Sequence, residues 1–171
     1  MKLKFAKRMS YIKASEIREI LKVTEREDVI SFAGGLPAPE LFPIDEINKM
    51  NQVVLQEAGA KALQYTTTEG YYPLREWIAK RMNKRLGTSF DKDNILITHG
   101  SQQGLDLSGK VFLDDGDIVL CESPTYLAAI SAFKSYGSGF IEIPTDEEGM
   151  DMATLEEVLN NTQNIKLIYV I

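Results

Sequence analysis

The sequence predicts an α/β fold in which a mostly parallel sheet is covered by helices on both faces. Short apolar runs alternate with helical segments of crossover length from residue 95 onward, which is typical of parallel strands joined by helices. The runs are almost continuously apolar, as expected of strands with two buried faces. Ligands of such sheets bind beyond the carboxyl ends of the strands, so we expect a site there.

The strands and helices of this region follow from these runs and from the capping residues. The predicted strands are residues 95–98, 118–122, 140–143 and 166–171, and the predicted helices are residues 101–113, 126–136 and 151–159. Asp151 is placed to cap the last helix. The last strand reads as fully buried, and a buried strand needs partners on both sides. We therefore expect a further portion of protein after residue 171.

Three more helices are predicted before residue 95, at residues 15–21, 45–58 and 73–86. An extended Gly- and Pro-rich loop, residues 30–43, separates the first from the second. Helical spacing predicts that the second and third helices bury apolar stripes. These stripes comprise Ile47, Met50 and Val54 in one helix and Leu74, Trp77, Ile78 and Met82 in the other. We predict an N-terminal segment at 1–44 and a larger, incomplete domain at 45–171.

Composition restricts the classes of function. With 44% hydrophobic and 26% charged residues in 171, the chain is typical of a soluble globular protein. A formal net charge of -6 argues against nucleic-acid binding, and no apolar run is long enough to span a membrane. The single cysteine, Cys121, lies in an apolar run and is predicted to be buried, and His99 is the single histidine. We expect no metal site built from these residue types and a cytoplasmic location.

The segment 95–105 carries the clearest chemical signal. An apolar strand breaks at Gly100, and a helix opens on small polar residues. N–H groups at a helix start lack intrahelical partners and lie at the positive end of the helix dipole, so they bind phosphate readily. A plain strand, turn and helix with Ser101 as the N-cap explains the same residues.

Five motifs occur in order along the chain. They are Ala-Ser-Glu-Ile-Arg-Glu at 14–19, Ser-Phe-Ala-Gly-Gly-Leu-Pro at 31–37, Gln-Tyr-Thr-Thr-Thr-Glu-Gly-Tyr at 64–71, Gly-Ser-Gln-Gln at 100–103 and Glu-Ser-Pro-Thr-Tyr at 122–126. With these motifs the chain resembles the fold-type-I pyridoxal-5'-phosphate aminotransferases of class I and II, in the branch of 2-aminoadipate and kynurenine aminotransferases. The resemblance implies the three-layer large domain of that fold, incomplete here, after an N-terminal arm and small-domain segment.

The resemblance implies roles for four residues at the cofactor. Ser101 and Gln102 would hold the phosphate of pyridoxal 5'-phosphate, and Gln103 belongs to the same turn. Packing within the helical turn is the alternative role of Gln103. Tyr126 would stack on the pyridine ring, although a half-buried tyrosine with a partner for its hydroxyl explains the same position.

Three further residues are implied to act on the substrate or across subunits. Tyr65 would reach the phosphate in the other subunit of a homodimer, or alternatively pack on the helix at 73–86. Gly35 would lie beside the substrate carboxylate. Arg18 would recognise an acidic or aromatic substrate side chain through its guanidinium, or alternatively face solvent. Within the pattern Gly-x-x-x-Leu-Arg, we interpret Gly70 as a backbone requirement and Arg75 as a structural ion-pairing residue.

The implied reaction is transamination between an amino acid and a 2-oxo acid, with 2-oxoglutarate as acceptor. The donor would be 2-aminoadipate, an aromatic amino acid or a branched-chain amino acid. In the family, the lysine that carries the cofactor follows the position of Ile171, and neither Lys110 nor Lys134 matches it. We therefore assign no catalytic residue in this chain and expect it to be inactive alone.

Two other classes of function are considered. The same fold occurs in cofactor-sensing transcription factors behind a winged-helix domain, and the sequence from Met1 shows no such domain. A nucleotide-binding α/β module would use a similar helix start. The residues at 100–104 match neither Gly-x-Gly-x-x-Gly nor a Walker loop with its lysine.

Overall fold

The computed structural model describes residues 3–12, 28–30, 32 and 35–171. Two compact units are present: one comprises the described residues of Met1–Lys13 with Thr98–Ile171, and the other the described residues of Ala14–Ile97. The predicted helix at 15–21 lies outside the described residues, and the predicted division at residue 44 stays a prediction. None of the described helices is long and apolar enough to cross a membrane.

The unit that ends at Ile97 contains two long helices, of which α1 spans Ile44–Ala62. The prediction that this helix ends at residue 58 is wrong, since Ala58 (φ -143°, ψ 22°) only kinks it before Gly59. No residue of α1 is buried, so the predicted stripe through Met50 is exposed. Amphipathic spacing identifies an apolar face, but burial also needs an element packed on it.

Helix α2 spans Tyr72–Leu86 and ends at Gly87 in the left-handed conformation (φ 67°), as its glycine predicts. Its predicted buried stripe is wrong, because Arg75 and Ala79 are the buried residues and Trp77 is 57% exposed. The reason is that α2 turns the face of Arg75 and Ala79 toward the 3-10 helix Lys92–Asn94. A buried arginine on the packed face is not visible in a hydrophobic pattern.

Arg75 connects three segments of this unit. Its Nε donates to the carbonyl oxygen of Gly70 at 3.1 Å, and its Nη1 donates to the carbonyl oxygen of Lys92 at 3.1 Å. Nη1 also lies 3.7 Å from Oδ1 of Asp93. This arrangement confirms the structural role predicted for Arg75. Gly70 has φ 100°, and a Cβ placed on it would lie 2.6 Å from Cβ of Ile97, which confirms the backbone requirement.

The predicted strand at residues 95–98 is wrong. The backbone is extended at Ile95 (φ -114°, ψ 125°), and the N–H of Ile97 donates to the carbonyl oxygen of Glu69 at 3.0 Å. No ladder forms here among the described residues, because no neighbouring strand lies beside the segment. Extended propensity becomes a strand only when a partner strand supplies the hydrogen bonds.

The other unit is built on a four-stranded sheet. Its strands are β1 (Ile118–Ser123), β2 (Gly139–Asp146), β3 (Gly149–Met150) and β4 (Ile165–Tyr169), in the order β3-β2-β1-β4. Strand β1 pairs in parallel with β2 and β4, while β2 and β3 pair antiparallel. The mostly parallel sheet of the prediction is confirmed.

Three helices accompany this sheet: α3 (Gly100–Phe112), α4 (Leu127–Lys134) and α5 (Met152–Asn161). Successive residues of β1 point to opposite faces, so Val119 and Leu120 belong to separate cores. Val119 packs with Phe133 of α4, and Leu120 packs with Leu155 of α5. Both faces of β1 are therefore covered by helices, and Cys121 is buried as predicted.

Strand β4 is not fully buried as its sequence predicts. Intermediate and exposed residues alternate along it, and Ile168 is 48% exposed. Among the described residues β4 pairs only with β1 and forms the edge of the sheet, so apolar residues remain in contact with solvent.

The N-terminal segment is attached near the amino end of β1, opposite the carboxyl ends of the parallel strands. Lys7 Nζ donates to Oδ2 of Asp115 at 2.7 Å, and the Tyr11 hydroxyl donates to Oδ1 of Asp115 at 3.1 Å. Asp115 lies just before β1. The hydrogen bond and charge of Lys7 hold the pKa of Asp115 below its ordinary value.

Candidate functional site

A cavity of about 520 Å³ opens where β1 and β4 end and α3 begins. Its lining is Ser101, Gly104, Leu105, Ser108, Tyr126, Tyr169 and Ile171. No Asp, Glu, Lys or Arg is among these lining residues, while Oε2 of Glu122 accepts from the N–H of the lining residue Ile171 at 2.8 Å. The position agrees with the general rule that parallel sheets bind ligands beyond their carboxyl ends.

The start of α3 has no side-chain cap. His99 is the N-cap residue, and its side chain makes no capping hydrogen bond. Ser101 is therefore the second residue of the helix, and its interpretation as a simple N-cap is wrong. A capping side chain would accept from the N–H groups of the second and third helical residues, which here are Ser101 and Gln102. No acidic residue lies in the first turn. The helix start is thus free to bind an anion.

The turn that precedes α3 is held by its own backbone and by Thr98. The N–H of Gly100 donates to the carbonyl oxygen of Thr98 at 3.0 Å, and Oγ1 of Thr98 donates to the carbonyl oxygen of Gly100 at 3.1 Å. Gly100 has φ 75°, a conformation that glycine adopts without strain. Apart from its chain neighbours and the backbone of α3, no described residue lies within 4 Å of the position that a Cβ on Gly100 would occupy, so the space beside Gly100 is open.

Gln102 and Gln103 differ from Ser101 in their placement, since neither lines the cavity. Oε1 of Gln103 accepts from the N–H of His99 at 2.6 Å and lies 3.1 Å from Nδ1 of its ring. The side chain of Gln103 is thus turned back toward the residue before the helix. A direct contact of Gln103 with a cofactor stays a prediction.

Tyr126 brings an aromatic ring to the cavity. It is the N-cap residue of α4 (φ -79°, ψ 115°) and is 44% exposed. The strand end before it is fixed by two hydrogen bonds: the Ser123 hydroxyl donates to Oε2 of Glu142 at 3.0 Å, and Oγ1 of Thr145 donates to the carbonyl oxygen of Ser123 at 3.1 Å. Rigid strands thus place the ring and the helix start at the same opening.

Comparison with known proteins decides the family. The profile of the family described as aminotransferase class I and II matches residues 27–171. The chain belongs to this family of aminotransferases.

Individual relatives agree with this membership. The chain is 48% identical over 171 residues to aromatic-amino-acid aminotransferase 1 of Thermococcus litoralis, a match that covers 98% of this chain and 41% of that protein. It is similar to the kynurenine aminotransferase structure of Pyrococcus horikoshii, solved in complex with PMP, with a TM-score of 0.85, 48% identity and coverage of 97% and 41%. It is also similar to the alpha-aminoadipate aminotransferase of Thermus thermophilus, solved with N-(5'-phosphopyridoxyl)-L-leucine, with a TM-score of 0.83, 47% identity and coverage of 98% and 40%. The chain spans about two fifths of the length of these proteins.

The remaining residues predicted for this aminotransferase chain lie elsewhere. Gly35 and Tyr65 belong to the unit that ends at Ile97, and Arg18 lies outside the described residues. Gly35 has φ 56°, and apart from its chain neighbours no described residue lies within 4 Å of the position of its missing Cβ. Tyr65 is 99% exposed and borders a cleft of about 700 Å³ formed with the end of α1.

Five lining residues of this cavity were not predicted from the sequence: Gly104, Leu105, Ser108, Tyr169 and Ile171. The signal for two of them was present. Leu105 and Ser108 follow Ser101 by four and seven residues, which places all three on one face of α3. Tyr169 depended on the pairing of β4 beside β1, which the order of elements along the chain does not give.

Proposed function

We propose that the protein that carries this chain binds pyridoxal 5'-phosphate in the cavity at the start of α3 and transfers an amino group from an amino acid to a 2-oxo acid. The observation that carries this proposal is the uncapped helix start, with its free N–H groups, at the same opening as the Tyr126 ring. Membership of the aminotransferase family supports it. Solved relatives hold PMP or a phosphopyridoxyl amino acid, by their own descriptions.

The residues present fit the cofactor at both of its ends. The N–H groups of Ser101 and Gln102, together with the Ser101 hydroxyl, are donors suited to a phosphate dianion. The Tyr126 ring offers a flat apolar face to an aromatic ring. The open space beside Gly100 leaves room for the anion, and the first turn of α3 contains no acidic residue that would repel it.

When bound, the cofactor supplies an electron-withdrawing ring that weakens bonds to the α carbon of the amino acid. In this proposal, Ser101 and Gln102 fix the phosphate, and Tyr126 sets the plane of the ring. Fixing both ends orients the reacting atoms, which lowers the entropic part of the barrier. In this proposal the residues of this chain bind and orient the cofactor.

The proposed substrates are 2-aminoadipate, an aromatic amino acid or a branched-chain amino acid as donor, with 2-oxoglutarate as acceptor. Support comes from relatives described as aromatic, kynurenine and 2-aminoadipate aminotransferases. We assign Gly35 to the substrate carboxylate and Arg18 to the substrate side chain. The family pattern that motivates both residues is present at 14–19 and 31–37.

We further propose a homodimer in the cytoplasm, in which Tyr65 reaches the phosphate bound by the other subunit. The Tyr65 side chain is 99% exposed and therefore accessible to a second subunit, which supports this part. The proposed domain division places residues 1–44 with the small domain and residues 45–171 in the cofactor-binding domain.

An assay of amino-group transfer tests the proposed function. The protein that carries this chain is incubated with pyridoxal 5'-phosphate, 2-oxoglutarate and each donor of the panel, and glutamate is measured. We expect glutamate to form with at least one of the three donor classes. Absence of glutamate with every donor would overturn the proposal.

A further inference from the structure

The side chain of Gln103 forms its hydrogen bond with the turn before α3 and not with the N–H groups of the first helical turn. Its Oε1 accepts from the backbone N–H of His99 at 2.6 Å and lies 3.1 Å from Nδ1 of the His99 ring. The contact resembles the reverse half of a capping box, in which a side chain one turn into the helix satisfies the N–H of the N-cap residue.

This arrangement stabilises the helix start and leaves its donors free. An ordinary N-cap side chain would occupy the N–H groups of Ser101 or Gln102, and His99 makes no such bond. Gln103 instead satisfies the N–H of His99, which precedes the helix. The turn is therefore fixed by a side chain that does not compete with an anion for the N–H groups of the first turn.

We infer that Gln103 is a positioning residue of the phosphate site: its amide oxygen holds His99, the residue before Gly100, so that the N–H groups of Ser101 and Gln102 meet the phosphate. The inference rests on the proposed binding of pyridoxal 5'-phosphate. It assigns Gln103 a role through the backbone in place of a direct contact with the cofactor.

The amide of Gln103 is better suited to this role than a carboxylate. Glutamate would accept the same hydrogen bond from His99, but it would add a negative charge within the first turns of the helix that binds the anion. The neutral acceptor holds the turn without repelling phosphate. This difference separates two variants, Gln103→Met and Gln103→Glu.

The test measures the affinities of the protein that carries this chain for pyridoxal 5'-phosphate and for pyridoxal, which lacks the phosphate. In Gln103→Met the acceptor is lost, and we expect affinity for pyridoxal 5'-phosphate to fall about tenfold while affinity for pyridoxal changes less than about twofold. Hydrogen exchange of the His99 amide in the cofactor-free protein should accelerate in the same variant. The exposed Gln52→Met on α1 is the matched control and should change neither quantity.

Gln103→Glu provides the second arm, since it retains the acceptor and does not depend on the folding of Gln103→Met. We expect wild-type exchange at the His99 amide together with an affinity for pyridoxal 5'-phosphate about tenfold lower. Equal losses for both ligands in Gln103→Met, unchanged exchange at His99, or wild-type affinity in Gln103→Glu would each overturn the inference. If the wild-type protein binds no pyridoxal 5'-phosphate, the proposed function itself is wrong, and the inference about Gln103 fails with it.

Discussion

At the scale of single residues, the burial of the charged Arg75 side chain is explained by the acceptors around it. The guanidinium of Arg75 donates hydrogen bonds to two backbone carbonyl oxygens and forms an ion pair with the carboxylate of Asp93, which allows it to be buried. An arginine in this position satisfies acceptors that would otherwise be left without partners. Its neighbours on α2, such as Trp77 and Arg81, remain at the surface.

Arg75→Met should lower the free energy of unfolding of this region by about 2–3 kcal/mol, because the carbonyls of Gly70 and Lys92 lose a charged donor. Urea unfolding followed by circular dichroism measures the change. The control is Arg81→Met, which removes an exposed guanidinium that lies 5.5 Å from the ring of Trp77 and should cost less than about 1 kcal/mol. Equal effects of the two substitutions would contradict the structural role of Arg75.

Tyr126 gives a second prediction at this scale. Tyr126→Phe keeps the ring and should leave the affinity for pyridoxal 5'-phosphate within about twofold, whereas Tyr126→Ala should weaken it about three- to tenfold. Spectrophotometric titration with the cofactor measures both. A larger loss in Tyr126→Phe than in Tyr126→Ala would show that the hydroxyl, and not the ring, is what matters.

At the scale of elements, the sequence predicted best where local chemistry determines the outcome. Asp151 caps α5 as expected, with Oδ1 accepting from the N–H of Thr154 at 2.6 Å, and Gly87 ends α2. The predictions failed where the outcome depends on a partner: within the described part of the chain, the segment at Ile95 has no neighbouring strand, and β4 has only one. The break at Gly100 and the helix that follows it were predicted, but the N-cap was not, because His99 is an unusual residue there.

The cap of α5 makes stability depend on pH in a known direction. Hydrogen bonds from the side chain and backbone of Thr154 hold the pKa of Asp151 below its ordinary value. A lowered pKa in the folded state contributes stability above the pKa of the unfolded chain, about 3.9, and this contribution is lost as the pH falls through the folded value.

Asp151→Ala should therefore lower the melting temperature at pH 7 and have a smaller effect near pH 3, as measured by calorimetry. Asp151→Asn keeps a neutral acceptor for the Thr154 N–H and should retain most of the stability at pH 7. A deficit in Asp151→Ala that grows as the pH falls would show that the charged cap is not stabilising.

At the scale of the whole molecule, the parallel strand β1 joins the two helical layers and leads to the site. Val119 and Leu120 are buried on its opposite faces, and its carboxyl end leads to Tyr126. The order of strands and helices predicted this sheet, because alternating elements of crossover length admit few other topologies. The cavity needed the pairing of β1 with β4, which brings Tyr169 to the start of α3.

Cys121 reports on the integrity of this sheet. Its side chain is 1% exposed, and burial, aided by the nearby carboxylates of Glu142 and Glu122, raises the pKa of its thiol. We expect a maleimide to label Cys121 at pH 7 only as fast as the sheet opens, with labelling in urea following the unfolding transition. Mass spectrometry of the peptide that contains Cys121 measures the rate. Rapid labelling of the folded protein would contradict the buried position of β1.

The central claim is that the start of α3 binds the phosphate of pyridoxal 5'-phosphate, and two serines of the same cavity test it most directly. Ser101 lies in the uncapped first turn, whereas the Ser108 hydroxyl donates to the carbonyl oxygen of Gly104 at 2.9 Å within the helix. Titration of the cofactor into Ser101→Ala should show a dissociation constant about 10- to 100-fold higher than in the wild type, since a hydrogen bond to a charged group is lost. Ser108→Ala should match the wild type. Equal affinities of Ser101→Ala and the wild type would contradict the claim.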